Sequence, residues 1–387
     1  MAKQNGGSGG SGSSRARWAP RPRDFFTISN LAKLPSNLGT LRKFVNAVNW
    51  KDAQQQVEGE LHHNIAILGL ANSGKSTLFN TLRGKYASAV SAEAGTTKTN
   101  IQGGFGPFTL IDTPGHLPDL QDEAVKDASA VVYLLDASQG IRPQDAAIIG
   151  KLKLDQKPLI VALNKCDLLK GEADETAAEA AARLHVRDVI PISSRTGENI
   201  GEELIPAIIE TSPDAALALG RALPEYRRRA AAKLVRTASL VGLAAGMEPI
   251  PLIDIPVLLG NQIRLVMRIA ALYNEPLGGK PTRELFATIG TGLFFRYLAE
   301  EAAKAVPFGG DVVSGVIAAA GTWALGQAAI EYFESGKKLS GAELRDIFNR
   351  LYKRYRAEYG AGKTPEGVPV PRPTVVVREE RVQPATD

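Results

Sequence analysis

The sequence predicts an α/β protein whose doubly wound, mostly parallel sheet is followed by an all-α helical domain. Short apolar runs alternate with helix-like segments as far as Ser212-Pro213, and this alternation favours parallel strands with helices on both faces. A glycine-rich loop joins the first apolar run to the first helix-like segment. Beyond Pro213 the strand pattern ends, and the chain becomes rich in Ala, Leu and Gly.

The composition sets limits on what the chain can be. Hydrophobic residues make up 44% of the 387 residues, which is ample for two cores. The net charge of +5 permits contact with anionic lipid or RNA but requires neither. Cys166 is the single cysteine, so no disulfide can form within the chain. That cysteine usage, and an N-terminus without an apolar signal core, lead us to expect a cytoplasmic protein.

We expect five segments along the chain. They are a disordered tail at 1–28, amphipathic helices at 29–62 packed on the next domain, an α/β domain at 63–212, a helical domain at 222–358 and a flexible tail at 359–387. The expected strands lie near 64–69, 100–112, 130–136, 158–163 and 188–192. The expected helices lie near 75–83, 119–127, 143–153, 174–185 and 199–210, and then near 224–246, 255–274, 281–304, 311–335 and 340–358.

The loop after the first strand, Gly69-Leu-Ala-Asn-Ser-Gly-Lys75-Ser76, predicts a phosphate-binding site. Its glycines let the backbone turn tightly and present N–H groups to phosphate oxygens, and the following helix adds the positive end of its dipole. Lys75 would place its charge at the β- and γ-phosphates, and Ser76 would bind Mg²⁺ through its hydroxyl. The candidate binding residues here are Gly69, Asn72, Ser73, Gly74, Lys75, Ser76 and Thr77.

A second strand ends in acidic and glycine residues, in the run Phe108-Thr-Leu-Ile-Asp112-Thr-Pro-Gly115. Asp112 is placed to hold the hydration shell of Mg²⁺. The backbone N–H of Gly115 is placed to contact a γ-phosphate. Both residues therefore belong to the same predicted site as the phosphate loop.

A third strand ends in Asn164-Lys165-Cys166-Asp167 and predicts a guanine-binding loop. A carboxylate at Asp167 can accept hydrogen bonds from guanine N1–H and from the exocyclic amine, a pair of donors that adenine lacks. Lys165 would pack its stem along the base. The alternative is an ordinary helix start, because Asn and Asp both cap helices. The last strand ends in the small polar turn Ser193-Ser194-Arg195, which completes the candidate base site.

Four loops in this order resemble a small GTPase domain of the Ras-like P-loop superfamily, and in particular the bacterial Era, TrmE and EngA group. The resemblance spans 63–212 and implies a GTPase that uses GTP/GDP and Mg²⁺. It identifies Thr97, in Ala94-Gly-Thr-Thr97-Lys98, as the switch residue that closes on Mg²⁺, with Thr96 as the alternative. It also implies that Asn72 helps to hold a K⁺ ion in place of an arginine finger. A loop Asn that merely tolerates a tight turn is the other interpretation.

Two departures from the family pattern concern the site. The last motif reads Ser193-Ser194-Arg195 where the family usually has Ser-Ala-Lys, and we expect little change because a backbone N–H can still contact guanine. His116 follows Gly115 where most Era-like proteins carry an apolar residue. Translational GTPases place a His there to orient the attacking water, so His116 is either catalytic or a solvated switch residue. The candidate catalytic residues are Lys75, Thr97, Gly115 and His116.

The run Gly246-Met-Glu-Pro-Ile-Pro-Leu-Ile-Asp254-Ile-Pro256 resembles a YcjF-type helical domain, which follows Era-like domains in some bacterial proteins. Val312–Ile330 has no formal charge and approaches the ~20 residues that span a bilayer. The basic cluster of Arg227, Arg228, Arg229, Lys233 and Arg236 is of a kind that binds anionic lipid. The alternatives are therefore peripheral or hairpin docking of 224–335 on the inner face of the membrane, a soluble bundle with a solvated basic face, and a span through the membrane by 312–330.

The function that we expect is a molecular switch that hydrolyses GTP and whose helical domain docks on a membrane or a partner. Its partners would be a guanine nucleotide, an anionic membrane surface and a second copy bound through the GTPase domain. A ribosome- or RNA-associated assembly GTPase is one alternative, although 222–358 lacks the strands of a KH module. A nucleotide-dependent scaffold is the other.

Overall fold

The computed structural model of the protein describes residues 50–91, 104–111, 123–246, 254–289 and 310–360. The chain divides after Val48 into two units, and every described residue belongs to the second unit.

The described residues include a six-stranded sheet. Its strands are β1 Asn64–Gly69, β2 Gly104–Phe105, β3 Phe108–Leu110, β4 Ala128–Asp136, β5 Leu159–Asn164 and β6 Val189–Pro191. Their order across the sheet is β2-β3-β1-β4-β5-β6; all neighbours pair in parallel except β2, which is antiparallel to β3. This confirms the predicted α/β fold with a mostly parallel sheet.

β4 is the central strand, and its register positions the site. All of its residues are buried, as expected for a parallel strand that is covered on both faces. Leu134 lies beside Gly69 of β1, and Asp136 lies beside Asn164 of β5. The carboxyl ends of β1, β4 and β5 therefore meet at one edge of the sheet, where ligands bind in open α/β folds.

The predicted single strand near 100–112 is a hairpin in its described part. β2 and β3 pair Gly104 with Thr109 and Phe105 with Phe108 around Gly106-Pro107. Gly106 has φ +55°, a left-handed conformation that glycine adopts without strain, and Pro107 has no N–H for a sheet ladder. The prediction of one uninterrupted strand was wrong because it passed over this turn signal.

Helices flank the sheet and then form the C-terminal region. The first group is α1 Trp50–Glu60, α2 Lys75–Ser91, α3 Glu123–Lys126, α4 Pro143–Leu154, α5 Ala173–Leu184 and α6 Ile205–Thr211. The second group is α7 Pro213–Ala222, α8 Arg227–Gly246, α9 Asp254–Leu272, α10 at 280–289, α11 Gly310–Glu334 and α12 Gly341–Gly360. The helical second region follows the α/β part, as predicted.

Helix α7 lies between the two predicted domains and was missed. Ser212 is its N-cap: the Ser212 hydroxyl accepts from Ala215 N at 3.1 Å and donates to Ser129 O at 2.9 Å. Pro213 is the first helical residue, where its missing N–H costs nothing. The Ser-Pro pair that marks a break in the sequence is therefore a helix start with no intervening linker.

Helix α11 packs against α8, α9 and α12. A Cβ added to Gly326 would lie 2.6 Å from Val235 Cγ2, and one added to Gly242 would lie 3.0 Å from Thr322 Oγ1. These small residues allow the helices to approach closely, so the uncharged stretch of α11 is buried by its neighbours. Among the described residues, no helix combines the length and the apolarity that crossing a membrane requires.

Helix α1 was expected to pack on the α/β domain, but it packs mainly on α9. Glu60 is 4% exposed, and its carboxylate binds the guanidinium groups of Arg264 and Arg268. Trp50 also packs edge-on against Phe286 of α10, with ring centroids 5.6 Å apart. The physical reason is charge: a buried carboxylate needs a cation partner, and α9 supplies two.

Candidate functional site

The phosphate loop has a backbone shape that requires its glycines. Gly69 has φ +151°, and a Cβ there would lie 2.6 Å from Ser73 Oγ and 2.7 Å from Leu134 O. Gly74 has φ +93°, and a Cβ there would overlap the amide nitrogen of Asn164. Any larger residue at either position would therefore deform the loop.

Lys75 is the first residue of α2, and its ammonium group lies back over the loop. Its Nζ donates to Gly69 O at 2.8 Å and to Leu70 O at 3.2 Å. The side chain is 8% exposed, whereas Ser76 and Thr77 in the same turn are exposed. The result is a partly desolvated positive charge beside a helix N-terminus, where backbone N–H groups lack helical partners.

Asn164 joins the phosphate loop to the turn after β6. Its Nδ2 donates to Ser73 O at 2.7 Å, and its Oδ1 accepts from Ser194 N at 2.9 Å. The side chain is 1% exposed. It does not cap the short helical turn Cys166–Leu168, whose N-cap is Lys165. The ordinary helix-start interpretation therefore does not account for Asn164.

The Asp167 carboxylate is held on both oxygens. Ser193 Oγ donates to Oδ1 at 2.7 Å, and a guanidinium nitrogen of Arg195 donates to Oδ2 at 2.7 Å. The Asp167 side chain is 12% exposed, so it is only partly open to solvent. Both partners belong to the turn after β6, which therefore sets the orientation of the carboxylate.

Asp136 is a site residue that the sequence analysis missed. Lys165, held at φ +69°, donates from Nζ to Asp136 Oδ2 at 2.6 Å, and Ser138 donates its N–H and hydroxyl to Oδ1. Burial opposes ionisation of Asp136, but the hydrogen bonds from Lys165 and Ser138 outweigh it and lower the pKa of the carboxyl. The sequence signal was an acid at the end of the mostly apolar strand β4.

Thr81 is a second residue that was missed. It lies on α2, and its hydroxyl donates to Ser194 O at 2.6 Å. The turn after β6 is therefore bound to both the phosphate-loop helix and Asn164. The remaining predicted residues, Thr96, Thr97, Asp112, Gly115 and His116, lie outside the described residues.

The phosphate loop lies at the start of a helix, and polar loops from β4, β5 and β6 lie at the same edge of the parallel sheet. This arrangement defines a P-loop nucleotide-binding domain. Residues 64–165 match the family model described as 50S ribosome-binding GTPase, and residues 215–357 match the domain of unknown function DUF697. Residues 64–165 are therefore identified as a P-loop GTPase domain and residues 215–357 as a YcjF-like DUF697 domain, as the resemblance in the motifs predicted.

Curated relatives agree with this assignment to a GTPase domain. GTPase Der of Gemmatimonas aurantiaca is 33% identical over 165 residues, which cover 39% of this chain and 37% of that protein. GTPase Der of Clostridium botulinum (strain Hall) is 34% identical over 155 residues, covering 36% and 35%. GTPase Der of Syntrophotalea carbinolica is 30% identical over 200 residues, covering 48% and 45%. The chain thus spans less than half the length of these relatives.

Proposed function

We propose that the chain hydrolyses GTP and acts as a switch between its GTP and GDP states. The proposal rests on the Asn164 side chain. It joins the phosphate loop, through Ser73, to the turn after β6, through Ser194, and this turn belongs to the candidate base site. One ligand with a phosphate group and a base would then contact both loops. Lys75 would stabilise the negative charge that develops on the phosphates during transfer.

The first experiment measures single-turnover GTP hydrolysis by the purified chain and by Lys75→Ala. The exposed Lys151→Ala on α4 is a control that removes the same charge elsewhere. We expect Lys75→Ala to slow hydrolysis by about 100-fold or more, since fixed charges at the transferred group contribute effects of that order. Equal rates for the wild-type chain and Lys75→Ala would favour the scaffold alternative.

Mg²⁺ fits the residues at the start of α2. Ser76 is exposed in the first helical turn, and hydroxyl and phosphate oxygens are the ligands that Mg²⁺ prefers. We propose Ser76 as a direct ligand, with Thr97 and Asp112 completing the site. The ion would neutralise phosphate charge when bound. GTP hydrolysis that persists undiminished in excess EDTA would contradict this proposal.

K⁺ assistance through Asn72 is proposed separately. Asn72 has φ +66° and is exposed, and a left-handed backbone alone is a sufficient reason for an Asn. Asn72→Gly separates the two roles, because Gly keeps the backbone conformation and removes the amide oxygen. We expect hydrolysis by the wild-type chain to be faster in K⁺ than in Na⁺ and this difference to vanish in Asn72→Gly. A retained K⁺ effect would assign Asn72 to the turn alone.

His116 is proposed to orient the attacking water. His116→Ala should then slow single-turnover hydrolysis by about 100-fold, the lower range for a positioned proton-transfer group, with GDP affinity preserved. An unchanged rate would make His116 a solvated switch residue.

Docking of the helical region on a protein partner is favoured over docking on lipid through the basic cluster. Every member of that cluster already contacts a group of this chain: Arg227 lies over the Tyr273 ring, Arg228 faces Glu334, and Arg229, Lys233 and Arg236 contact Glu210. A lipid surface would compete with these contacts. The test is flotation of the purified chain with anionic liposomes. Flotation that survives high salt would favour membrane docking, with insertion of helices within 224–335, over docking on a protein partner.

Ribosome association is the second candidate function, and the description of the matched family as 50S ribosome-binding supports it. Co-sedimentation with 50S subunits, compared between a GTP analogue and GDP, tests it directly. A second copy bound through the GTPase domain is also proposed, and light scattering with a GTP analogue would detect it.

A further inference from the structure

The two oxygens of the Asp167 carboxylate are held by groups that differ greatly in exposure to solvent. Oδ1 accepts from Ser193, whose side chain is fully buried and whose Oγ also accepts from Thr196 N at 3.2 Å. Oδ2 accepts from Arg195, whose side chain is 74% exposed. The first contact is therefore made by a buried hydroxyl within the turn after β6, and the second is made by a side chain that lies mostly in solvent.

A guanine base needs the same oxygen that Arg195 occupies. It places two adjacent N–H donors on one carboxylate, so both oxygens must accept from the base. Ser193 can stay in place, because a carboxylate oxygen has more than one lone pair and the Ser193 hydroxyl is buried behind it. The Arg195 side chain is mostly exposed, so its guanidinium can move into solvent when a base takes its place.

We propose that Arg195 is a competing counter-ion of the base site, which covers Asp167 Oδ2 and must move away before a guanine nucleotide binds. This inference rests on the proposed function. Within the described part of the chain, Arg195 is the cation paired with Asp167. An ion pair that is this exposed on one side is weak, so a base with two donors can displace it. Arg195 thereby sets how fast and how tightly the nucleotide binds. The departure of Ser193-Ser194-Arg195 from the usual Ser-Ala-Lys motif therefore affects nucleotide binding.

The competition has a definite kinetic consequence. If only the fraction of molecules with Arg195 displaced can bind, the apparent affinity falls by that fraction. The loss appears in the association rate, because Arg195 is already displaced in the bound state. Dissociation of the nucleotide is left unchanged.

The test measures binding of fluorescent GDP by stopped flow at 0.15 M salt, where charges beyond about 8 Å are largely screened. We expect Arg195→Ala and Arg195→Gln to bind about two- to fivefold more tightly, the range for loss of an exposed ion pair, through faster association alone. The control is Arg187→Ala, which removes another exposed arginine, paired with Asp188, and should change nothing. Unchanged or weaker binding of GDP by both Arg195 variants would overturn the proposal.

A second experiment, in the Asp167→Asn variant, separates competition for the carboxylate from a general effect of the Arg195 charge. In Asp167→Asn the site presents an amide donor, which suits xanthine because a carbonyl replaces the exocyclic amine. With no carboxylate for Arg195 to cover, adding Arg195→Ala should leave the affinity for xanthosine diphosphate unchanged. Tighter binding in this background too would overturn the competition. Absence of GDP binding by the wild-type chain would instead overturn the proposed function, and this inference with it.

Discussion

At the scale of single residues, Asn164 connects two loops of the site. Its amide donates to Ser73 O and accepts from Ser194 N, and a Cβ on Gly74 would occupy the space of its nitrogen. The motif predicted the position of Asn164 but not this pair of contacts. They depend on the register that places β5 beside β4, which no local pattern encodes.

Replacing Asn164 should separate these two contacts. Asn164→Ala leaves a buried carbonyl and a buried N–H without partners, so we expect the free energy of unfolding to fall by about 2–4 kcal/mol. Asn164→Asp keeps the oxygen that accepts from Ser194 but sets a buried carboxylate oxygen against Ser73 O, where the wild-type amide donates at 2.7 Å. Urea denaturation at neutral pH should therefore show a loss for Asn164→Asp at least as large as that for Asn164→Ala. A clearly smaller loss for Asn164→Asp would mean that the Ser194 contact outweighs the repulsion at Ser73.

His63 predicts a pH dependence of stability. It lies 3.4 Å from Asp214, and this carboxylate raises the pKa of the imidazole against the opposing effect of burial, with Glu60 and Asp127 adding smaller attractions. A raised pKa in the folded state gives a stabilisation that is complete below the unfolded pKa near 6.5 and is lost as the pH rises through the folded pKa.

The effect should be small, under about 1 kcal/mol, because both partners are partly exposed. Arg264 and Arg268 also contact the acids of this region, since Arg264 pairs with Glu60 and Arg268 pairs with Glu60 and Asp214. Urea denaturation of the wild-type chain and His63→Gln at pH 6 and pH 8 is the measurement. The advantage of the wild-type chain should shrink at the higher pH, and an advantage that grows there would contradict the assignment.

At the scale of elements, two helical glycines offer a matched test of packing. On α11, a Cβ at Gly326 would lie 2.6 Å from Val235 Cγ2 and 3.1 Å from Leu265 Cδ2. On α9, a Cβ at Gly260 would have no heavy atom within 4 Å. Gly326→Ala should cost about 1–3 kcal/mol through overpacking. Gly260→Ala should gain about 0.5–1 kcal/mol from the lower entropy of the unfolded chain.

Thermal unfolding of the two variants should therefore shift in opposite directions. If Gly326→Ala were stabilising, α8 and α9 would have to yield at this contact, and α11 would not be held as closely as the distances indicate.

Elements with a strong local signal were predictable, and those that depend on distant partners were not. The strands β1, β4 and β5 follow from their apolar runs, and the loops that carry Lys75 and Asp167 follow from spacing. The roles of Asp136 and Thr81 do not, since each depends on a side chain from another element. Helix α7 was missed because a Ser-Pro pair signals both a break and a helix start, and only the Ser212 contacts distinguish them.

At the scale of the whole molecule, the two parts of the chain meet through a pair of tyrosines. Tyr226, just before α8, donates to Gly201 O at 2.9 Å, and its hydroxyl lies 3.3 Å from that of Tyr86 on α2. Helix α2 begins at Lys75, so the helix that carries the phosphate-loop lysine also contacts the start of the C-terminal helical region.

Tyr226→Phe should weaken this connection. It removes the bond to Gly201 and the contact with Tyr86, and we expect a loss of about 1–2 kcal/mol in the free energy of unfolding. Tyr86→Phe removes only the contact between the hydroxyls and should cost less. Chemical denaturation followed by tryptophan fluorescence compares the two, and a larger loss for Tyr86→Phe would reverse the assigned roles.

The contact of α1 with α9 has a consequence for synthesis of the protein. Glu60 and Arg264 are 204 positions apart, so α1 leaves the ribosome long before its main partner exists. At about 5–20 residues per second the delay is roughly 10–40 seconds. During that interval the α/β domain can fold while α1 carries a carboxylate with no cation to cover it. A nascent chain stalled before Arg264 should therefore leave α1 open to protease and protect it once α9 has emerged.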